Sequence, residues 1–331
     1  MRDAGHKIFF YQKPSYFFAG IHSVEDDIEL IRSASFVHHQ IRVFDLIARL
    51  NSFFEANSIK AASEPVSPSD VVINFNYDYF FLRKIFPNNI IVTIINDDFV
   101  AQARFLKGRH VIRALEKTCK MSDEVLCVSD PLCKQVANWC APKLFLPWTS
   151  QTYVYPVAGH RNAVLLWAHI NDRIDFDLIS DVASGAPNIE IVLVGPVASK
   201  VKSRLNAICL RHKNIRSLQP ASLDEIDFSD FFAAIIPYRK DRKDVEAVTA
   251  SNKTFQLLSR GMPLIVSGMP NFLESEAVFK VSGSEQFLAA LSECGRRFES
   301  LQASIQSLVE SNTAESRLAY LERLIRDAKS E

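Results

Sequence analysis

The sequence predicts an α/β fold assembled from βαβ units with parallel strands. Three observations carry that prediction. The stretch from Phe231 to Pro270 reads as strand, long polar loop, short helix and strand. Its apolar runs, Ala233 to Ile236 and Leu264 to Val266, are continuous rather than alternating, the pattern of strands covered on both faces. At 331 residues, 48% of them hydrophobic, the chain is long enough for two domains of ordinary size with sizeable cores.

Taken in order, His6 to Tyr11 is the first strand. A dinucleotide-binding fold would follow it with a glycine-rich turn, but QKPSYFFAG stands there. No G-x-G-x-x-G occurs anywhere, which argues against an NAD dehydrogenase. Residues 24–34 and 38–57 read as helices, the second with Ile41, Phe44, Leu46, Ile47 and Leu50 on one broad face. Val71 to Phe75 and Ile90 to Ile95 are short β-rich runs and read as parallel strands. Between them YDYFFLRKIF mixes aromatic and basic residues on an expected helix. A helix over 104–121 carries Arg104, Lys107, Arg109, Arg113 and Lys117. Val125 to Ser129 is the next strand, and Asp130-Pro131 opens the next helix. Leu144 to Tyr155, with Pro147 inside and Pro156 behind, reads as a linker.

The second half opens with a strand, Ala163 to Ala168, the loop His169 to Arg173, and a helix from Phe176. Ile189 to Val194 is a strand with Gly195-Pro196-Val197 as its exit turn, and Ile215 to Leu218 is a short third strand. Ser222-x-x-Glu225 is a capping box. In the Phe231–Pro270 stretch the helix, Ser251 to Arg260, ends at Gly261 with Pro263 behind it. Ligands of open α/β sheets bind beyond the carboxyl ends of the strands. The polar loop Arg239 to Thr249 and the helical turn holding Lys253 lie at such an end, and a helix N-terminus with a lysine suits a phosphate. From Glu274 the chain reads as helical and polar. Residues 284–310 and 314–329 suit two helices, the last with Leu318, Leu321 and Ile325 on one stripe.

The pattern P-Y, loop, N-K-x-F-x-x-L-x-x-G-x-P followed by hydrophobic residues, here Pro237-Tyr238 and Asn252 to Pro263, resembles the nucleotide-sugar segment of GT-B glycosyltransferases related to family GT4. VLVGPV at 192–197 is similar to the second strand of their C-terminal domain. Tyr238, Lys253 and Gln256 stand at a spacing similar to that of the inverting xanthan glucuronosyltransferase family, GT70. Many GT4 enzymes have a glutamate where Gln256 stands, and a glutamine can still hydrogen-bond two hydroxyls. The resemblance is strongest over 160–270.

The resemblance implies two Rossmann-like domains facing across a cleft. Residues 1–150 would form the acceptor domain, with 312–331 returning to pack on it, and 157–311 the donor domain. It implies transfer of a sugar from a nucleoside diphosphate, UDP being the expected nucleotide, to a saccharide or polyprenyl-linked acceptor of cell-surface polysaccharide synthesis, with inversion expected and a retaining GT4-like reaction as the close alternative. Lys253, Gln256, Tyr238, Asn252 and Arg173 would bind the donor. Asp98 or Asp97, at the carboxyl end of the strand ending at Ile95, would take the acceptor proton. For these residues the alternatives are ordinary: a helix N-cap for the aspartates, a helix-start ion pair for Arg173, a strand-end aromatic for Tyr238, and solvated residues for Lys253 and Gln256. Asp175-Phe176-Asp177 is formally a D-x-D, but it stands at a helix start, where capping carboxylates are common. Neither a metal nor another cofactor is expected, with Lys253 supplying the charge that meets the departing diphosphate. Glu246 fits no motif. A non-catalytic sugar-nucleotide-binding or scaffold protein and a sugar-nucleotide epimerase remain alternatives on the same fold.

Composition adds exclusions. Net charge is formally zero, so no global basic field attracts nucleic acid. Cysteines at 119, 127, 133, 140, 209 and 294 form no C-x-x-C and no zinc spacing, and read as buried free thiols in a reducing cytosol. His22, His38, His39 and His110 show no catalytic spacing. The first residues lack a signal-peptide apolar core, and no run of 18 apolar residues exists. The expectation is a cytoplasmic protein. The phenylalanine-rich, basic first third suits either peripheral contact with the inner membrane or a phenylalanine-rich core.

Overall fold

A computed structural model describes residues 5–15, 23–25, 28–34, 45–62, 66–103, 108–157 and 159–330. The chain divides into two compact units: Met1–Val128 with Leu132–Leu144 and Tyr320–Glu331, and Ser129–Pro131 with Phe145–Ala319.

The first unit holds two sheets. Strands β1 (Ile8–Ser15), β2 (Ser23–Glu25) and β3 (Ile28–Ala34) form a sheet of order β1-β3-β2. Residues 28–34, expected to be helical, are therefore a strand. Ile28 to Arg32 pair in parallel register with Ile8 to Gln12, and Ser23 to Glu25 pair antiparallel on the other side. Pairing distant in sequence decides a short apolar run that periodicity leaves ambiguous. Helix α1 (Asp45–Ala62) follows. Ile41 and Phe44 of the expected helix, together with His22, His38 and His39, lie outside the described residues. Of the expected apolar face, Ile47 on α1 is half-buried and Leu50 exposed, while Ile59 further along the helix is buried. Asn51 and Glu55 are each 1% exposed, whereas Leu50, Phe53 and Phe54 are 50%, 62% and 40% exposed.

The other sheet of this unit is parallel. It comprises β4 (Val71–Asn74), β5 (Ile90–Ile95), β6 (Glu124–Cys127) and β7 (Lys143–Leu144), in that order. It is joined through α2 (Leu82–Ile85), α3 (Phe99–Gln102), α4 (Gly108–Met121) and α5 (Asp130–Val136). Only Leu82–Ile85 of the aromatic run YDYFFLRKIF is helical. Tyr79, Phe81, Leu82 and Phe86 instead pack with Ile59 and Ile91, so large rings spend a turn-rich segment on core. Arg104 and Lys107 lie outside the described residues.

The second unit is built on one six-stranded sheet. Its strands are β8 (Ala163–Trp167), β9 (Glu190–Val194), β10 (Ile215–Leu218), β11 (Phe231–Pro237), β12 (Leu264–Ser267) and β13 (Val278–Val281). Their order is β10-β9-β8-β11-β12-β13 and every pairing is parallel. The helices are α6 (Phe176–Gly185), α7 (Lys202–Arg211), α8 (Lys243–Glu246), α9 (Asn252–Leu258) and α10 (Ser284–Glu310); α11 (Ala314–Ser330) starts in this unit and from Tyr320 belongs to the first. All seven residues of β11 are buried, as a strand covered on both faces requires. The Ser222 capping box is present, on a single turn over Leu223–Glu225. The expected onset of helix at Glu274 is corrected by β13, a short edge strand whose middle residues stay partly exposed. The helix begins at Ser284.

Gly261 ends the α9 segment at φ +71°, and a Cβ there would come within 2.4 Å of the Pro156 ring. The Gln302 side-chain amide donates to the Gly261 carbonyl at 3.1 Å and accepts from Tyr153 Oη at 2.8 Å. Val154 N–H donates to the Ser259 carbonyl at 2.7 Å. The segment entering this unit is thus bonded to the end of α9. Among the described residues, no helix is long and apolar enough to cross a membrane.

Candidate functional site

In the second unit, chain order reverses between β8 and β11, which lie side by side. Ligands of open parallel sheets bind at such a switch point, beyond the carboxyl ends of the strands. The loop after β8 carries Arg173, and the residue after β11 is Tyr238. The backbone binds these two loops together. Ile174 bridges Tyr238, Asp175 N–H donates to the Pro237 carbonyl at 2.8 Å, and Arg239 N–H donates to the Arg173 carbonyl at 2.8 Å.

Tyr238 is fixed from the other side too. Its N–H donates to the Ser267 carbonyl at 3.1 Å. Gly268, next in the chain, has φ +73°, and a Cβ there would lie 2.0 Å from the Tyr238 carbonyl oxygen. Only glycine allows both that backbone conformation and that approach.

Lys253 stands in the first turn of α9, behind a Ser251–Thr254 capping box. Its Nζ donates to the Tyr238 hydroxyl and sits 4.6 Å from the centre of the Tyr238 ring. Gln256, three residues on, shares the Lys253 side of the helix and is half-buried; Asn252 is exposed. The structure therefore gathers Tyr238, Lys253 and Arg173 around the end of β11, with Gln256 one helical turn further along. The expected ion pair of Arg173 is present, and its partner stands in the first turn of α8. Arg173 Nε donates to Asp244 Oδ2 at 2.8 Å. Glu246 lies outside this grouping, and its carbonyl accepts from Asn271 Nδ2 at 3.0 Å.

A pocket of about 410 Å³ opens beside Tyr238, walled among others by Asp175, Asp177, Arg204, Arg239, Ser267 and Gly283. The two carboxylates of the D-x-D are both engaged in the fold. Asp175 caps α6 by accepting from Leu178 N–H at 3.0 Å, and Asp177 pairs with Arg204 at 2.5 Å. The Arg204 hydrogen bond holds the Asp177 carboxyl below the usual carboxylate range.

In the first unit, Asp98 caps α3. Its Oδ1 accepts from Ala101 N–H at 2.9 Å and from Gln135 Nε2 at 3.3 Å. Asp97 is exposed, and its Oδ1 accepts from Asp98 N–H at 3.0 Å. Sequence reasoning missed Asp244 as a partner in the site region, and read Arg242, in the charged run 239–243, as a solvated residue in preference to a contact with the donor's phosphates. The charge run RKDRKD at 239–244 was the available signal, but a charge run alone describes a solvated loop equally well.

No protein-family model and no curated protein sequence matches the chain. Solved structures do match its fold. An α,α-trehalose-phosphate synthase (UDP-forming) from Burkholderia vietnamiensis superposes with a TM-score of 0.64 at 10% identity, over 96% of this chain and 90% of that one. The lipopolysaccharide outer core galactosyltransferase WaaB superposes with a TM-score of 0.63 at 12% identity, over 91% and 85%. Anabaena Alr3699/HepE, solved in complex with UDP and glucose, superposes with a TM-score of 0.62 at 10% identity, over 90% and 86%. The chain spans 58% of the length of TarM, another match. The chain has the Rossmann-like α/β architecture of the GT-B glycosyltransferases.

Proposed function

We propose that this chain is a glycosyltransferase. It would transfer a sugar from UDP to a saccharide or lipid-linked saccharide acceptor of cell-surface polysaccharide synthesis. The observation that carries the reading is the contact of Lys253 with Tyr238 at the switch point of a parallel sheet. Solved structures of the same fold include one with UDP and glucose bound.

In this reading the bond from the sugar's anomeric carbon to the diphosphate oxygen breaks, and its electron pair stays on the diphosphate. Lys253 meets that charge, a task for preorganised cations. Arg173 adds a second positive charge, Tyr238 and Asn252 border the nucleotide, and Gln256 hydrogen-bonds the ribose hydroxyls. The acceptor hydroxyl oxygen bonds to the anomeric carbon with inversion, and its proton passes to Asp97 or Asp98. Asp97 is the more exposed of the two, whereas Asp98 Oδ1 both caps α3 and accepts from Gln135. We read the reaction as metal-independent, since the D-x-D carboxylates serve as a cap and an ion-pair partner.

For the lipid-linked acceptor we assign contact with anionic lipid to the exposed side of α1. Leu50, Phe53 and Phe54 stand there with Arg49 and Lys60, while Glu55 points inward. An apolar stripe flanked by cations suits that surface.

The test is calorimetric titration with UDP, GDP, ADP and CMP in the presence of EDTA, on wild type and Lys253→Ala. One diphosphate is expected to bind selectively, with affinity falling by about tenfold to a hundredfold when the lysine is removed. A folded protein that binds none of the four overturns the reading. Turnover with an acceptor then separates a transferase from a scaffold, and release of an epimer without acceptor identifies an epimerase.

A further inference from the structure

We infer that Arg173 and Arg242 form a two-guanidinium anion site that the chain fills with its own Asp244, and that the donor's diphosphate takes the place of that carboxylate. The identity of the anion rests on the glycosyltransferase reading; the site itself rests on the geometry.

Asp244 accepts three charge-assisted hydrogen bonds from two different loops. Arg173 Nε reaches Oδ2 at 2.8 Å, Arg242 Nε reaches Oδ1 at 2.9 Å, and Arg242 Nη2 reaches Oδ2 at 3.0 Å. The Arg242 contact is the fork-on-fork arrangement by which guanidinium binds carboxylate and phosphate alike. Asp172 also faces the cluster, accepting from Arg242 Nη1 at 3.1 Å. The side chain of Asp244 is the least exposed of the four, at 26%. Its carboxyl is held below the usual carboxylate range, first by the Arg242 hydrogen bonds and then by Arg173.

The cluster adjoins Tyr238, because Arg239 N–H is bonded to the carbonyl of Arg173 itself. The loop does not depend on Asp244 for its course. Val245 is 1% exposed, and the Glu246 carbonyl is held by Asn271. Two arginines converging on one carboxylate exceed what anchoring such a loop requires. With Asp244 in place the four side chains sum to zero charge. A diphosphate carries more charge and more acceptor oxygens than a carboxylate, so it can displace Asp244 and engage both arginines.

The test uses calorimetric titration with inorganic pyrophosphate and with UDP on the full chain. The variants are Asp244→Asn, Arg242→Ala and the double variant, each checked for wild-type thermal unfolding. Asp244→Asn is expected to bind both ligands about tenfold tighter, and the gain should vanish in the double variant. Asp244→Glu, which restores the competing carboxylate, should return affinity toward wild type and guards against a folding artefact. Unchanged or weaker binding by Asp244→Asn, or a gain that survives loss of Arg242, overturns the inference. Pyrophosphate has neither base nor sugar, so a gain on it stands even if no nucleotide is recognised. UDP binding that needs Lys253 but is indifferent to Asp244 keeps the glycosyltransferase reading and sinks this one.

Discussion

Phe255 on α9 is 0% exposed and Phe53 on α1 is 62% exposed. The two rings mark a difference in how their units use apolar residues. In the second unit the strands β11 and β12 are wholly buried, and large side chains of α6, α9 and α10 join them in one continuous core, although Leu210 on α7 is exposed. In the first unit α1 buries Asn51 and Glu55 and turns Leu50, Phe53 and Phe54 outward. Ile59 of the same helix joins the core, so the outward side chains form a local apolar patch. The proposed donor site thus rests on a fully buried core, whereas Leu50, Phe53 and Phe54 of α1 lie at the surface.

The largest expected effect tests the packed side. Phe255→Ala should destabilise the second unit by about 3–5 kcal/mol, read by guanidinium denaturation. A cost below about 1 kcal/mol would mean that the core collapses to fill the site and that the contrast is weaker than drawn. Gly268→Ala comes next. It forces φ +73° on a residue with a side chain and brings Cβ against the Tyr238 carbonyl. The expected loss is about 1–3 kcal/mol, together with weaker nucleotide binding because Tyr238 must shift. Unaltered binding would show that the backbone of Tyr238 is not held as tightly as the site requires.

On the other side of the comparison, replacing Phe53 and Phe54 by serine should change stability by no more than about 0.5 kcal/mol each. It should also abolish co-sedimentation with vesicles containing phosphatidylglycerol. A large loss of stability would reveal the rings as core after all, and retained vesicle binding would move the lipid contact elsewhere. The smallest effect separates the thiols by labelling with iodoacetamide at mildly alkaline pH. The Cys140 thiol is lowered by its hydrogen bond with Cys119 and is half-buried, so it should react first. Cys294, fully buried and pushed up to about 12 by that burial, should react far more slowly. Equal rates, read by peptide mass spectrometry, would place Cys294 in an open region of the second unit.

The second unit was legible because its physics is local. Continuous apolar runs such as Ala233–Ile236, short and stopped by Pro237, fit covered strands, and the glycine and proline after α9 stop a helix by chain geometry alone. The helices at 284–310 and 314–330 likewise declared themselves by length and periodicity. The first unit was harder. Residues 28–34 take their strand from pairing with β1, and YDYFFLRKIF takes its turns from rings seeking the core. Both are decided by partners remote in sequence. The candidate site was half legible. Tyr238 and Lys253 were visible as a spacing, but the bond between them depends on the course of the loop between. The meeting of Arg173 with Asp244 joins two loops that only the completed sheet brings together.

That same sheet has a consequence for synthesis. β8 lies between β9 and β11, so its second edge stays unpaired until Phe231 to Pro237 have emerged from the ribosome. At about 5–20 residues per second, the wait after Trp167 lasts several seconds. During that interval Val164, Leu165 and Leu166, fully buried in the finished unit, present a bare apolar strand edge to the cell. The order of strands that sets Arg173 beside Tyr238 therefore also marks the moment in translation when this chain most needs a chaperone.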